Sequence, residues 1–152
     1  MSIYSNKVGL HNVGSYMVSG APWVTGSASD TELASGRTIR YQFPHVTKSF
    51  TVINIGGGDI RVHFQKGDNA GAISSDGGAG VTNSNVSSDS VQSKHHYITV
   101  PANNGSVTFE VKCAEIYISN HSLSASGYEI IADLTHIPSE RMYSLTGSGI
   151  ET

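Results

Sequence analysis

Hydrophobic and polar residues alternate with a period of two along much of the chain, as they do in half-buried β-strands. From Arg37 onward, Ile39, Tyr41 and Phe43 lie on one side of such a strand, and the polar residues between them lie on the other. Pro44 then ends the strand, because proline has no amide N–H to donate to a sheet. The alternation therefore predicts a strand with one face in a core.

A second apolar run extends from Phe50 to Ile55 and is apolar on nearly every position, which places it centrally in a sheet. The glycines and aspartate at 56–59 follow as a turn, and the alternating residues from Ile60 to Phe64 form the next strand. We therefore expect a β-hairpin at this point. On its second strand, Arg61 and His63 are predicted to face solvent.

Further strands are predicted from the same pattern. They run from about His96 to Val100, Ser106 to Cys113, Glu115 to Ser119 and Gly127 to Thr135. The total is about seven short strands with no helical intervals, which is typical of an antiparallel β-sandwich. The pattern leaves open whether the sandwich is a jelly roll or immunoglobulin-like. The sandwich domain is expected to span residues 31–137.

Three segments fall outside the strand pattern. Residues 66–93 are polar and rich in glycine and serine, so they are expected to form a long exposed loop within the domain. Residues 1–30 and 138–152 lack strand periodicity but carry large apolar side chains, so they are expected to be extended arms that pack on neighbouring subunits. The arm residues expected at this interface are Tyr16, Met17, Val18, Pro22, Trp23, Val24, Met142, Tyr143 and Leu145.

Composition agrees with an all-β fold and argues against several classes of function. The chain has 17 glycines and abundant Ser, Thr and Asn, which form turns and terminate helices. Charged residues make up 14% of the chain and the net charge is −3, so no basic stripe is available to bind nucleic acid. No apolar run is long enough to form a signal peptide or to span a membrane. We therefore expect a protein that is made in a cytoplasm and does not bind membranes. Cys113, the single cysteine, is expected to be a buried and unreactive thiol.

No pattern in the sequence predicts an active site, a cofactor site or a metal site. His95 and His96 would point to opposite faces of a strand and cannot chelate one ion, and the aspartate-containing turns match no calcium-binding loop. No nucleophile elbow or dinucleotide-binding glycine loop is present. The carboxylates that fall on polar strand faces are expected to be solvated rather than paired for catalysis, and they are Glu110, Glu115, Glu129 and Asp133.

Binding is more compatible with the sequence than catalysis is. Tyr97 and Tyr117 on strand faces, together with the loop at 66–93, would suit weak binding of a carbohydrate. The alternative is that these tyrosines complete sheet faces and subunit contacts, where tyrosine is generally enriched. The second interpretation is favoured.

Four stretches of the sequence carry a resemblance to a group of viral proteins. They are VGSYMVSGAPWVTGS near the start, HVTKSFTVINIGGGDIRVHF and ITVPANNGSVTFEVKCAEIYIS in the middle, and GYEIIADLTHIPSERMYSLTGSG near the end. In these stretches the chain resembles small structural proteins in the virions of marine tailed phages, including phages of cyanobacteria. The resemblance covers nearly the whole chain apart from residues 66–93, and it assigns no functional residue.

The resemblance implies a non-enzymatic virion protein without a cofactor. Within that group, a small β-sandwich is most similar to a capsid decoration or cement protein on the outer surface of the shell. Its expected partners are the major capsid protein and further copies of itself, in a homo-oligomer for which a trimer is one expected form. A tail or neck accessory protein is the nearest alternative, and a module that binds host glycans at the virion surface is another.

Overall fold

The computed structural model describes residues 9–11, 13–17, 20–27, 33, 35–64, 80–82 and 95–143. Within these ranges nine strands form two antiparallel sheets. They are β1 (Ala21–Ser27), β2 (Thr38–Gln42), β3 (His45–Asn54), β4 (Ile60–His63), β5 (Gly80–Thr82), β6 (Ile98–Val100), β7 (Gly105–Phe109), β8 (Glu115–Asn120) and β9 (Tyr128–Pro138). A short helix, α1 (Gly14–Met17), precedes β1, and a 3-10 turn (Ser139–Arg141) follows β9.

The order of the strands identifies the topology as a jelly roll. The four-stranded sheet has the order β1-β9-β3-β7, and the five-stranded sheet has the order β5-β2-β8-β4-β6. Apart from the three-residue β5, this is the order of the eight-stranded jelly roll, in which two Greek keys wrap into facing sheets. The prediction of an all-β antiparallel sandwich is confirmed, and of the two topologies left open the chain has the jelly roll.

The core lies between the sheets and is filled by the inward residues of the alternating pattern. The side chains of Trp23, Tyr41 and Phe43 meet there edge to face, and Phe50 stacks on Phe109 with ring centroids 4.7 Å apart. Burial of each large apolar side chain contributes roughly 1.5–3 kcal/mol. The aliphatic members of the core are Leu33, Ile39, Val52, Ile60, Val62, Val100, Ile116, Ile118, Ile130, Ala132 and Leu134.

Each of the strands predicted from the sequence is present, although some ends differ. β3 begins at His45 rather than Phe50, and β7 ends at Phe109 rather than Cys113. The structure also has a strand where an N-terminal arm was expected, because residues 21–27 form β1 and pair along β9. Proline and glycine obscure the pattern of β1, and its place in the sheet depends on the distant residues of β9.

The predicted hairpin between β3 and β4 is wrong. β3 pairs with β7 and β9 in one sheet, whereas β4 pairs with β6 and β8 in the other. Residues 56–59 therefore cross from sheet to sheet. The buried Asn54 side chain holds the crossing, because its Nδ2 donates to the Gly58 carbonyl at 2.8 Å and its Oδ1 accepts from the Gly56 N–H at 3.0 Å.

A second buried asparagine holds the loop between β8 and β9. The Asn120 Nδ2 donates to the carbonyls of Leu33 and Ser124, each at 2.8 Å, and its Oδ1 accepts from the Ser122 N–H at 2.9 Å. The loop presents Leu123 at its tip with the side chain fully exposed. Two buried side-chain amides thus order the loops at one end of the sandwich, since buried polar groups are stable only when they are hydrogen-bonded.

The long loop expected at 66–93 is interrupted by β5, which pairs with β2. The rest of that range lies outside the described residues. Among the described residues, no helix has the length and apolar character needed to cross a membrane.

Candidate functional site

The outer face of the five-stranded sheet points away from the core and carries polar side chains from three adjacent strands. The register places Thr38 on β2 beside Ser119 on β8, and Tyr117 on β8 beside His63 on β4. These four side chains are at most 4% exposed. We call Thr38, His63, Tyr117 and Ser119, together with the ion pair described below, the sealed face.

Hydroxyl and imidazole groups on the sealed face are bonded to one another. The Ser119 Oγ lies 2.9 Å from the Thr38 Oγ1 and 2.6 Å from the His63 Nε2. The His63 ring also stacks on the Tyr117 ring, with centroids 5.4 Å apart and planes 13° from parallel. Ser119 therefore joins β2, β8 and β4 through side-chain contacts in addition to the backbone ladder.

An ion pair completes the sealed face. The Arg40 guanidinium donates through Nε to the Glu115 carboxylate at 2.6 Å, and the two side chains are 16% and 10% exposed. The Tyr117 hydroxyl donates to the same carboxylate at 3.2 Å. Burial, followed by the charge of Glu115, raises the pKa of Tyr117 above its usual range. Glu115 is therefore a paired and largely buried carboxylate, and the expectation that it is solvated is wrong.

The contact between His63 and Ser119 has the distance at which a base can activate a serine nucleophile. The Ser119 side chain is fully buried, however, and its hydroxyl is engaged by both Thr38 and His63. A nucleophile also needs space for an electrophile and donors for the developing oxyanion. The arrangement is suited to cross-linking strands, where each satisfied hydrogen bond contributes about 1 kcal/mol.

The tyrosines considered for carbohydrate binding do not form a common exposed platform. Tyr117 is buried within the sealed face. The Tyr97 ring lies under the Arg61 guanidinium, 4.1 Å from its centroid, and its hydroxyl is 3.1 Å from the His95 Nδ1. The prediction that His63 faces solvent is also wrong, since only 1% of it is exposed. Alternation identifies the face on which a side chain lies but not whether that face is covered.

The remaining groups with reactive chemistry are the possible metal ligands and the single cysteine. In these ranges, no group of three or more His, Cys, Asp or Glu side chains is placed to hold a metal ion. Cys113 is buried, and its Sγ lies 3.2 Å from the Thr47 Oγ1. Burial raises the pKa of the Cys113 thiol to about 12, against the Thr47 hydrogen bond that lowers it. A thiol in this environment is a poor nucleophile at neutral pH.

The interface residues predicted in the N-terminal arm occupy different environments. Trp23 is half-buried on β1 and packs on Tyr41 and Phe43, so this side chain is packed within its own protomer. Pro22 and Val24 are on the same strand and are exposed. The α1 helix includes Tyr16 and Met17, but the side chain of Met17 and the whole of Val18 lie outside the described residues.

Tyr16 on α1 lies beside Lys112. Its ring lies 5.0 Å from the Lys112 ammonium, and its hydroxyl is buried without a hydrogen-bond partner. Burial, followed by the proximity of Tyr143, raises the pKa of Tyr16. Met142 is half-buried and Tyr143 is exposed, while Leu145 lies outside the described residues. Among the predicted interface side chains that the structure describes, Val24 and Tyr143 are the large ones left exposed.

The outer face of the four-stranded sheet is chemically different from the sealed face. The register aligns Val24, Ile131, Thr51 and Thr108 in a row across all four strands, and we call this row the open face. Val24 is 69% exposed and Ile131 is 46% exposed. The Oγ1 atoms of Thr51 and Thr108 lie 2.8 Å apart. The row is uncharged and contains exposed aliphatic side chains.

No family model, no curated protein and no solved structure matches the chain. The jelly roll therefore rests on the strand order of this chain itself.

Proposed function

We propose that the chain is a non-enzymatic structural protein of a tailed-phage virion, and specifically a capsid decoration protein that binds the outer surface of the shell. The observation that supports this proposal is the open face, which exposes a row of aliphatic and hydroxyl-bearing side chains across a four-stranded sheet. The side chains of His63, Ser119 and Cys113, by contrast, are buried and bonded to neighbours.

The composition of the open face suits contact with another protein. Val24 and Ile131 are neighbours on adjacent strands, so their exposed surfaces form a continuous apolar area. The two threonine hydroxyls of the row lie within hydrogen-bonding distance of each other, so one of their two protons is already bonded and a covering surface has to accept only the other. Exposed apolar patches with a polar rim commonly mark protein contacts.

The charged residues beside the open face indicate the kind of partner. Glu129 and Asp133 flank Ile131 on β9, and both are exposed. A partner surface with lysine or arginine at its rim would be complementary to these carboxylates, and such complementarity increases association rate and selectivity. The major capsid protein is the partner expected from the resemblance to phage virion proteins.

The topology agrees with a structural role by analogy only. Jelly rolls are frequent in viral capsid proteins and also occur in lectins and in cupin enzymes, so the fold alone does not assign a function. The open face has no aromatic side chain on which a sugar ring could stack, and this favours a protein partner over a host glycan.

Binding to purified capsid particles tests the proposal. The full chain is added to particles that lack it, and the bound fraction is measured by co-sedimentation. We expect Ile131→Asp to weaken binding by about tenfold or more, since it places a charge in the centre of the contact. Leu123→Asp is the matched control, because Leu123 is fully exposed but lies on a loop away from the open face.

Cryo-electron microscopy of virions distinguishes the remaining alternatives. Density for the jelly roll on the shell, with β1 and β9 facing the capsid, would support the proposal. Density confined to the tail or neck would instead support an accessory protein there. Absence of the chain from virions would contradict both assignments, and saturable binding of a host polysaccharide in titration calorimetry would then favour the glycan-binding alternative.

A further inference from the structure

The strand β7 forms one edge of the four-stranded sheet and has an unpaired side. It pairs with β3 on one side, and no strand among the described residues pairs with the other side. Alternate N–H and C=O groups of an edge strand therefore point outward without a partner in the sheet. Such an edge can accept a further strand by backbone hydrogen bonding.

The two edges of this sheet differ in how well they are protected against strand addition. β1, the opposite edge, contains Pro22, which has no N–H and interrupts any added ladder. β7 has the sequence GSVTF, without proline or charge, and its pairing with residues 50–54 has no bulge. Natural edge strands are commonly blunted by proline, charge or bulges, and β7 has none of these features.

We propose that β7 pairs antiparallel with β7 of a second copy of this chain, about a two-fold axis at Val107. The pairing would join two four-stranded sheets into one continuous sheet of eight strands. A two-fold axis perpendicular to the sheet makes the pairing antiparallel and keeps the inward faces of both copies on the same side. Centring the axis at Val107 is the register that pairs all five residues of β7.

The sequence of β7 is complementary to itself in this register. On the inward face, Val107 lies opposite Val107 and Phe109 lies opposite Gly105 of the second copy, so no charged residues meet there. On the outward face, Ser106 lies opposite Thr108, so that hydroxyl meets hydroxyl. Immediately beyond the strand, Glu110 lies opposite Asn104, so no like charges meet.

Because β7 is complementary to itself at every position, we expect a second copy of β7, rather than an unrelated strand, to pair with its free edge. Val107 and Phe109 are half-buried in one protomer, and the second strand would cover more of both. The pairing would also extend the row of the open face, since Thr108 at its end would adjoin Ser106 of the second copy. The inference goes beyond the proposed function, because it concerns contact of the chain with itself and holds whatever the partner of the open face is.

Charge substitution on the outward face of β7 tests the pairing. The dissociation constant of the dimer is measured by sedimentation equilibrium for the full chain and for Ser106→Lys combined with Thr108→Lys. Each position faces the other across the axis, so the double variant places lysine opposite lysine at two sites, and we expect the dissociation constant to rise about tenfold or more. The variant Ser106→Glu with Thr108→Glu is expected to behave in the same way.

Mixing the basic and acidic variants supplies the decisive comparison. Lysine then lies opposite glutamate, and we expect a heterodimer with an affinity at least equal to that of the wild-type dimer. Circular dichroism and the unfolding midpoint of each variant show whether the monomer remains folded. A wild-type chain that stays monomeric at millimolar concentration, or lysine variants that dimerise as the wild type does, would overturn the inference.

A cysteine at the axis tests the register independently. In Val107→Cys the same residue from each copy lies opposite itself at a Cα separation of about 4.5–5.5 Å, within the range of a disulfide. We expect rapid formation of a covalent dimer under mild oxidation. Val24→Cys is the matched control, because Val24 is more exposed and would cross-link faster if collisions were responsible. Cross-linking of Val24→Cys without cross-linking of Val107→Cys would contradict the register.

Discussion

The two outer faces of this jelly roll have the same strand alternation and opposite environments. On the sealed face, Thr38 and Ser119 place two hydroxyls 2.9 Å apart in a buried setting. On the open face, Thr51 and Thr108 place two hydroxyls 2.8 Å apart in an exposed setting beside aliphatic side chains. Polar side chains are thus buried and aliphatic side chains exposed, the reverse of the usual distribution.

The sealed face stabilises the fold, whereas the open face has side chains that are available for binding. Buried polar groups are stable only when their hydrogen bonds and charges are satisfied, and the sealed face meets that requirement through mutual contacts. Exposed aliphatic side chains do not stabilise the folded protomer, and they contribute a favourable free energy only when a partner surface buries them. We therefore expect substitutions on the sealed face to change stability and substitutions on the open face to change association.

The largest effect on stability is expected from breaking the ion pair of the sealed face. Glu115→Ala leaves the Arg40 guanidinium largely buried without its partner and removes the acceptor of the Tyr117 hydroxyl. We expect the free energy of unfolding to fall by about 3 kcal/mol. Urea unfolding measures the change, and Glu129→Ala beside the open face is the control, with an expected change within about 0.5 kcal/mol. Equal losses in the two variants would contradict the contrast between the faces.

A smaller effect is expected from one substitution made on each face. Thr38→Val removes a buried hydroxyl and leaves the Ser119 hydroxyl with one partner fewer, so we expect a loss of about 1–2 kcal/mol. Thr51→Val removes the equivalent contact on the open face, where water replaces it, and should change stability by less than about 0.5 kcal/mol. Both variants have the same change in side chain, so the difference between their unfolding midpoints compares a buried position with an exposed one.

A pH-dependent effect is expected from Tyr117. Its pKa in the folded protein is raised above the ordinary value of 10.0, so its contribution to stability is fully present below pH 10 and is lost as the pH rises further. The raised pKa of Cys113 acts in the same direction above pH 9. Unfolding midpoints measured from pH 8 to pH 11 should therefore decline. Tyr117→Phe should show a shallower decline, and an unchanged slope would mean that Tyr117 ionises as freely as it does in the unfolded chain.

The smallest effect on stability is expected from the open face itself. Ile131→Thr removes an aliphatic group that is already half exposed, and it should change the free energy of unfolding by less than about 0.5 kcal/mol. The same variant should weaken binding to capsid particles. A large loss of stability would show that Ile131 contributes to the fold of the protomer, and would weaken the assignment of the open face as a binding surface.

Much of the fold could be predicted from particular residues. Ile39 and Tyr41 on β2 and Phe43 directly after it alternate with polar neighbours, and all three side chains are in the core. β1 was missed because Pro22 and Gly26 break its pattern, and the expectation that Trp23 would need a neighbouring subunit followed from that omission. The open face could have been suspected from Ile131, an aliphatic residue at an outward position of a strand that otherwise alternates regularly.

The sequence by itself determined seven of the nine strands and which of their side chains lie on the same face, because a period of two is a local property of extended backbone. Only the tertiary structure decided which sheet each strand joins and which outer face is buried. Those features depend on contacts between distant residues, such as Thr38 with Ser119, which are 81 positions apart. Local alternation is the same for a covered and an uncovered face, so the distinction between the sealed face and the open face arises only when the sheets have assembled.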